Sequence, residues 1–137
     1  MPLLSGNDDI HRLLVGATTI AVVGLSDKPW RDSHRVAGFL KDRGYRIFPV
    51  NPNIASVFDM VSHPSLENVG EPIDIVNIFR RPEHVPRIVE SAITIGARAV
   101  WMQSGIVHDA AARRASDAGL DVVMDRCIRV AYTLLVR

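Results

Sequence analysis

Apolar residues along this chain fall into two alternating patterns. Short, continuously apolar runs rich in Val and Ile are each followed by longer stretches whose apolar positions recur three and four residues apart. Glycines punctuate the joins. The continuous runs at 19–23, 45–50, 73–79, 97–102 and 121–124 predict strands buried on both faces, as in the interior of a parallel sheet. The longer stretches at 8–14, 33–43, 82–95, 108–118 and 128–136 predict helices. Ile10, Leu13 and Leu14 share one face of the first helix, and Val36, Phe39 and Leu40 one face of the second.

Boundary signals agree. Ser5 or Asn7 is a candidate cap for the first helix, with Asp8 and Asp9 at its positive end. Ser33 is a candidate cap for the second. Gly44, Gly96 and Gly119 stand where three helices should stop, and Pro82 suits a first turn. The stretch 53–66 has no clear period; a short helix or strand is expected within 54–61.

Strand and helix thus alternate. The order predicts α/β architecture: a single Rossmann-type three-layer α/β/α domain over residues 1–137, with a parallel sheet of about five strands. Residues 1–17 supply an N-terminal helix packed on it. Crossovers should be right-handed, so the loops after Val23, Val50, Phe79, Met102 and Met124 gather on one rim, where such sheets bind ligands.

Composition narrows the function. At 137 residues the chain suits one domain rather than a cofactor domain joined to a substrate domain. A net charge of +1 without a basic run gives no nucleic-acid footprint. The single cysteine, Cys127, allows no internal disulfide and suits the cytoplasm. The opening MPLLSGNDDI lacks the basic and apolar regions of a signal peptide, and no apolar stretch approaches the roughly 20 residues that span a bilayer.

The loop GLSDKPWRDSHR, residues 24–35, carries the strongest chemistry. Gly24 permits a tight turn and close backbone approach. The helix start beyond it offers free N–H groups and a positive dipole end, which suit phosphate. Ser26 adds a hydroxyl, and Lys28, Arg31 and Arg35 add positive charge. The plain alternative is a strand-to-helix turn with solvated cations. The dinucleotide fingerprint G-x-G-x-x-G is missing: Ser26 and Pro29 occupy the places of its second and third glycines. Asn51-Pro52 stands where an acid would hold the ribose diol of NAD, an arrangement that tolerates a phosphorylated ribose better.

Three further loops hold candidates. Arg80 and Arg81, after Phe79, start a helix and call for an anion or for Glu83 as a local partner. Phe79 is either an adenine contact or core. Gln103-Ser104-Gly105 is either a plain turn or a place where backbone N–H groups meet a ligand. Cys127, at a helix start, is either a somewhat reactive thiol or a small buried residue. The five histidines show no metal-ligand spacing, and no G-x-S-x-G elbow is present.

With these residues in place, the chain resembles the small stand-alone CoA-binding domain proteins (YccU-like), whose domain is similar to the CoA-binding domain of the succinyl-CoA synthetase alpha subunit. The resemblance is carried by TIAVVGLSDKPWRDSHRVAGFL, YRIFPVNP, HPSL, DIVNIFRRPEHVPRIVESAITIGARAVWMQSGI and AGLDVVMDRCI. It implies a Rossmann-type fold, coenzyme A as ligand and no established catalysis. It further implies a phosphate loop at Gly24, Ser26 and Lys28, a post-strand motif at Asn51 and Pro52, and a loop over the adenine end at Phe79, Arg80 and Pro82. Gln103 and Gly105 would approach the pantetheine side, with Cys127 near the ligand's far end. Two departures stand out. Residues 54–62 lack the glycine and basic residues usual after Asn-Pro, and Asp32 replaces a common proline beside the phosphate loop.

The expected function is a CoA or acyl-CoA binding module. The alternatives are an NAD(P)-binding oxidoreductase and an acyl-CoA ligase-related subunit. A third has Cys127 exchanging disulfides with CoA. The opening helix and the closing run 130–136 are expected either to cover the sheet or to form a homodimer contact.

Overall fold

In the computed structural model, which describes residues 3–136, the run TIAVV is strand β1 (Thr19–Val23), second of five parallel strands. The others are β2 (Arg46–Val50), β5 (Ile75–Ile78), β6 (Ala99–Met102) and β7 (Asp121–Val123), in the order β2-β1-β5-β6-β7. The five helices are α1 (Asn7–Gly16), α2 (Asp32–Asp42), α3 (Val85–Thr94), α4 (Asp109–Asp117) and α5 (Ile128–Leu135). The α/β/α architecture is as expected.

Alternate residues of each strand feed two cores, because successive side chains point to opposite faces. Ala21, Val23, Val76, Ile78, Val100 and Met102 pack with α3 and α4. Ile20, Val22, Ile75, Ala99 and Trp101 pack with α1, α2 and α5. The apolar faces of α1 and α5, including Ile10, Leu13, Leu14, Ile128 and Ala131, are spent on that second core. They cover the sheet, although Val130 and Leu134 remain more than half exposed on α5.

Several ends differ from the sequence expectation. Gly6, not Ser5 or Asn7, caps α1, its carbonyl accepting from Ile10 N–H. No side chain caps this end, and Asp8 and Asp9 in the first turn supply the negative charge its positive dipole end favours. Strand β2 begins at Arg46, because the Tyr45 backbone N–H still closes the end of α2 on the Leu40 carbonyl; its side-chain hydroxyl donates to the Leu14 carbonyl. Burial there pushes the Tyr45 phenol up to about 12, with Tyr132 adding to the effect. Pro82–His84 forms a separate 3-10 turn before α3. His108, within the expected α4, instead caps it: its Nδ1 accepts from Ala111 N–H at 3.1 Å.

The aperiodic stretch contains a two-stranded hairpin, β3 (Ser56–Val57) with β4 (Met60–Val61). Both turn residues, Phe58 and Asp59, are left-handed at φ 54° and 59°, as a type I′ turn requires. The turn lacks the usual Asn-Gly. Tertiary contact offsets the backbone strain: Phe58 stacks on His34 with ring centroids 4.4 Å apart and lies over Gly38 of α2.

Candidate functional site

Strand order reverses between β1 and β5: the chain leaves β1 toward β2 and later returns to pair β5 on its other side. At such a switch point the loops after the two strands part and leave a crevice at their C-terminal ends.

Gly24 makes the crevice's inner wall. Its φ is +89°, and a Cβ there would lie 2.5 Å from the Phe79 carbonyl oxygen. The close approach that only glycine permits is thus made to the neighbouring loop. Internal bonds then shape residues 25–35. Ser26 N–H donates to Ser33 Oγ at 3.0 Å, and Lys28 N–H to Ser26 Oγ at 3.1 Å. Ser33 therefore ties the loop rather than capping α2, whose N-cap is Arg31. Asn51 Nδ2 donates to the Leu25 carbonyl at 3.0 Å, and Asn51 Oδ1 accepts from Asn53 N–H at 2.9 Å. Neither Asn51 nor Pro52 lines the crevice; Asn51 braces the loop that does.

With the loop held this way, the first N–H groups of α2, on Asp32 and Ser33, meet no acceptor among the described residues. Charge gathers beside them. Lys28 lies 5.8 Å from the ring centre of Trp30, a side chain 67% exposed. Asp32 pairs with Arg35, which also donates to the Trp30 carbonyl at 2.6 Å. Lys28, Arg31, Arg80 and Arg81 take no part in the ion pairs among the described residues. Glu83 is thus not the partner of either arginine, and the anion demand of that helix start is left open.

Two hollows meet here. One, of about 530 Å³, lies over Gly24, Ser26, Lys28 and Arg31. The other, of about 1000 Å³, runs from Arg35, Arg80 and Pro82 to Gln103, Gly105 and Cys127, walled by Val130 and Leu134 of α5. Asp32 and Phe79 border both. Of the ligand-binding residues expected from sequence, all but Asn51 and Pro52 line one hollow or both. The hairpin residues 53–62 line neither.

The floor of the larger hollow is tied across β6 and β7. Trp101, fully buried, donates Nε1–H to the Arg126 carbonyl at 2.8 Å, giving its one polar atom a partner. Gly105 N–H donates to Asp125 Oδ1 at 2.7 Å. That N–H, expected to meet a ligand, is therefore spent on the protein. Asp125 is itself left-handed at φ 60°, a conformation aspartate tolerates better than most residues. Gln103 Oε1 accepts from Ile128 N–H at 2.9 Å, which pins Cys127 at the N-cap of α5.

Trp30, Asn77 and the outer face of α5 were not among the residues expected at the site from sequence. A tryptophan in a polar loop and an asparagine inside DIVNIF were visible signals. The exposure of Val130 and Leu134 was not, because their spacing equally suits a buried face. Among the described residues no helix is long and apolar enough to cross a membrane, and no three His, Cys, Asp or Glu residues cluster to hold a metal ion.

Comparison with known proteins places the site in context. The family model described as CoA binding domain matches residues 18–133. The uncharacterized protein YneT of Bacillus subtilis (strain 168) is 41% identical over 126 residues, covering 92% of this chain and 93% of that protein. A solved hypothetical protein from Pyrococcus horikoshii OT3 superposes with a TM-score of 0.94 at 34% identity, covering 97% of this chain and 94% of that one. The ADP-forming acetate–CoA ligase II of Archaeoglobus fulgidus is 27% identical over 94 residues, which cover 66% of this chain but only 14% of the ligase.

Proposed function

The chain belongs to the CoA binding domain family, and from that premise we propose that it binds CoA or an acyl-CoA as a binding or regulatory module rather than as a catalyst. The observation that supports this best is the pair of adjoining hollows that share Asp32 and Phe79 as borders and together form a trough for one long ligand in this reading. One end is cationic and presents unspent helix N–H groups. The other begins at Arg35, Arg80 and Arg81 and carries Ile106, Val130 and Leu134 beside the Cys127 thiol and Arg129. A long ligand with phosphates at one end and a sulfur-bearing arm at the other matches both.

In this reading Gly24, Ser26, Lys28 and Arg31 take the phosphates, with the start of α2 as a second donor set. Arg35 contributes as well. Its exposed pair with Asp32 is worth no more than about 1 kcal/mol, so an incoming phosphate can compete for the guanidinium. Phe79, Arg80 and Pro82 border the nucleotide. Gln103, Gly105 and Cys127 lie along the arm. Asn51 and Pro52 act only through loop shape.

The non-catalytic part of the proposal draws on what lines the trough among the described residues: its acids are Asp27 and Asp32, with neither histidine nor glutamate beside them. The reading places the protein in the cytoplasm, whose reducing conditions suit one free thiol. A second reading, a subunit of an acyl-CoA ligase, draws on the local likeness to the archaeal enzyme. It predicts acyl-CoA formation only when a nucleotide-binding partner chain is supplied.

Thermal unfolding with CoA, dephospho-CoA, NAD and ATP tests the proposal. Ligand at 100 times its Kd adds about 2.7 kcal/mol to stability, a shift of several degrees for a domain of this size. A shift with CoA, reduced with dephospho-CoA and absent with NAD, is expected. A shift with NAD alone would favour the oxidoreductase, and none with CoA would sink the reading.

A further inference from the structure

Asn77 sits inside β5 between isoleucine and valine neighbours, with no exposed surface. Its Nδ2 donates to Gln103 Oε1 at 3.0 Å. The N–H of Ile128, first residue of α5, donates to the same oxygen at 2.9 Å. A backbone N–H requires an acceptor, so chemistry decides which way the Gln103 amide points. Oε1 faces β5 and α5, and Nε2 faces away from them.

Gln103 lines the larger hollow and is 5% exposed. Its Nε2 has no protein acceptor among the described residues. Among the described residues, the side-chain polar atom that is both fully enclosed and unpartnered is Asn77 Oδ1. Gln103 Nε2 is therefore not enclosed, and it opens on the trough. The core thus carries an orphan acceptor on Asn77, a cost that calls for a reason. An apolar residue of similar size would pack there without it. What the asparagine supplies is a fixed orientation of its neighbour.

We infer that Asn77 is a positioning residue. With the first N–H of α5 it locks Gln103 as a hydrogen-bond donor into the trough, so that the site selects a ligand bearing a carbonyl oxygen, amide or thioester, close to Cys127. This rests on the CoA reading and refines it. The phosphate end supplies attraction, whereas the Gln103 donor recognises the arm.

Calorimetric titration of the wild type, Asn77→Leu and Gln103→Glu tests the inference. The probes are CoA, acetyl-CoA and adenosine 3′,5′-bisphosphate, which keeps a phosphorylated nucleotide but lacks the arm. Asn77→Leu should unfold no earlier than the wild type, because it removes the orphan oxygen. It should bind the arm-bearing probes about fivefold more weakly, the worth of one hydrogen bond, and the bisphosphate unchanged. Gln103→Glu keeps the acceptor, loses the donor and should behave alike; it decides the matter should Asn77→Leu fail to fold. A deficit already present with CoA assigns an amide carbonyl, and one confined to acetyl-CoA assigns the thioester. Unchanged CoA and acetyl-CoA affinities, or equal losses on all three probes, would overturn the inference while leaving the CoA reading intact. A wild type that binds none of the three would overturn both.

Discussion

The carbonyl oxygen of Phe79 occupies the space that a side chain on Gly24 would need, so the two loops of the switch point fit together only through a missing methyl group. Gly24→Ala should combine a left-handed backbone penalty with this clash and cost about 3 kcal/mol. Gly96→Ala is the control. Gly96 is also left-handed at φ +73°, but nothing lies within 4 Å of its missing Cβ, and about 1 kcal/mol is expected. Urea unfolding of the two variants separates the contributions; equal losses would refute the packing argument.

Asp32 opens α2 and borders both hollows. Its carboxylate favours the positive end of α2 but competes for Arg35 and repels a phosphate. Asp32→Asn should therefore tighten CoA binding several-fold at low ionic strength and lower stability by about 0.5 kcal/mol. The gain should shrink as salt is raised. Weaker binding in the variant would show that Asp32 orients Arg35 productively.

Alkaline unfolding should report on Tyr45. Its phenol is held near 12 in the fold against an ordinary 10.0, first because burial disfavours the charged form. The folded state then holds the proton more tightly than the unfolded one. The associated stability is fully present below pH 10 and is lost as pH rises from 10 toward 12, by about 2 kcal/mol. A Tyr45→Phe variant should show a flatter slope over that window in urea unfolding at stepped pH.

His108 should behave as a helix cap. His108→Ala removes the acceptor for Ala111 N–H and is expected to cost about 1 kcal/mol, whereas His108→Asn or His108→Asp should retain most of the stability. Thermal melts of the three variants check this. A CoA affinity altered by any of them would place the α4 start closer to the ligand than its position suggests.

The five sheet strands were legible because residues buried on both faces leave an unbroken apolar run. Their ends were not. Ile73 and Asp74 read as strand, yet β5 begins at Ile75; Asp74 bonds through its backbone to Thr19 and Ala99 while its carboxylate accepts from the N–H groups of Thr18 and Thr19. The β3–β4 hairpin was hidden because its turn is built from Phe58 and Asp59, residues that take left-handed backbone only when something distant holds them. The cationic loop announced itself through residue type. Gly105 misled for a related reason: its N–H is consumed by Asp125, twenty residues away, and no local pattern encodes that pairing.

Asn77 marks where selection for a robust fold and selection for discrimination diverge. A procedure that rewarded only packing and satisfied polar atoms would exchange it early for an aliphatic residue, and the sheet would be the sturdier for it. On the proposed reading, the resulting protein would retain its architecture and its attraction for phosphate but lose part of its ability to tell one arm from another. In engineering this scaffold, stability is therefore a poor guide at this position.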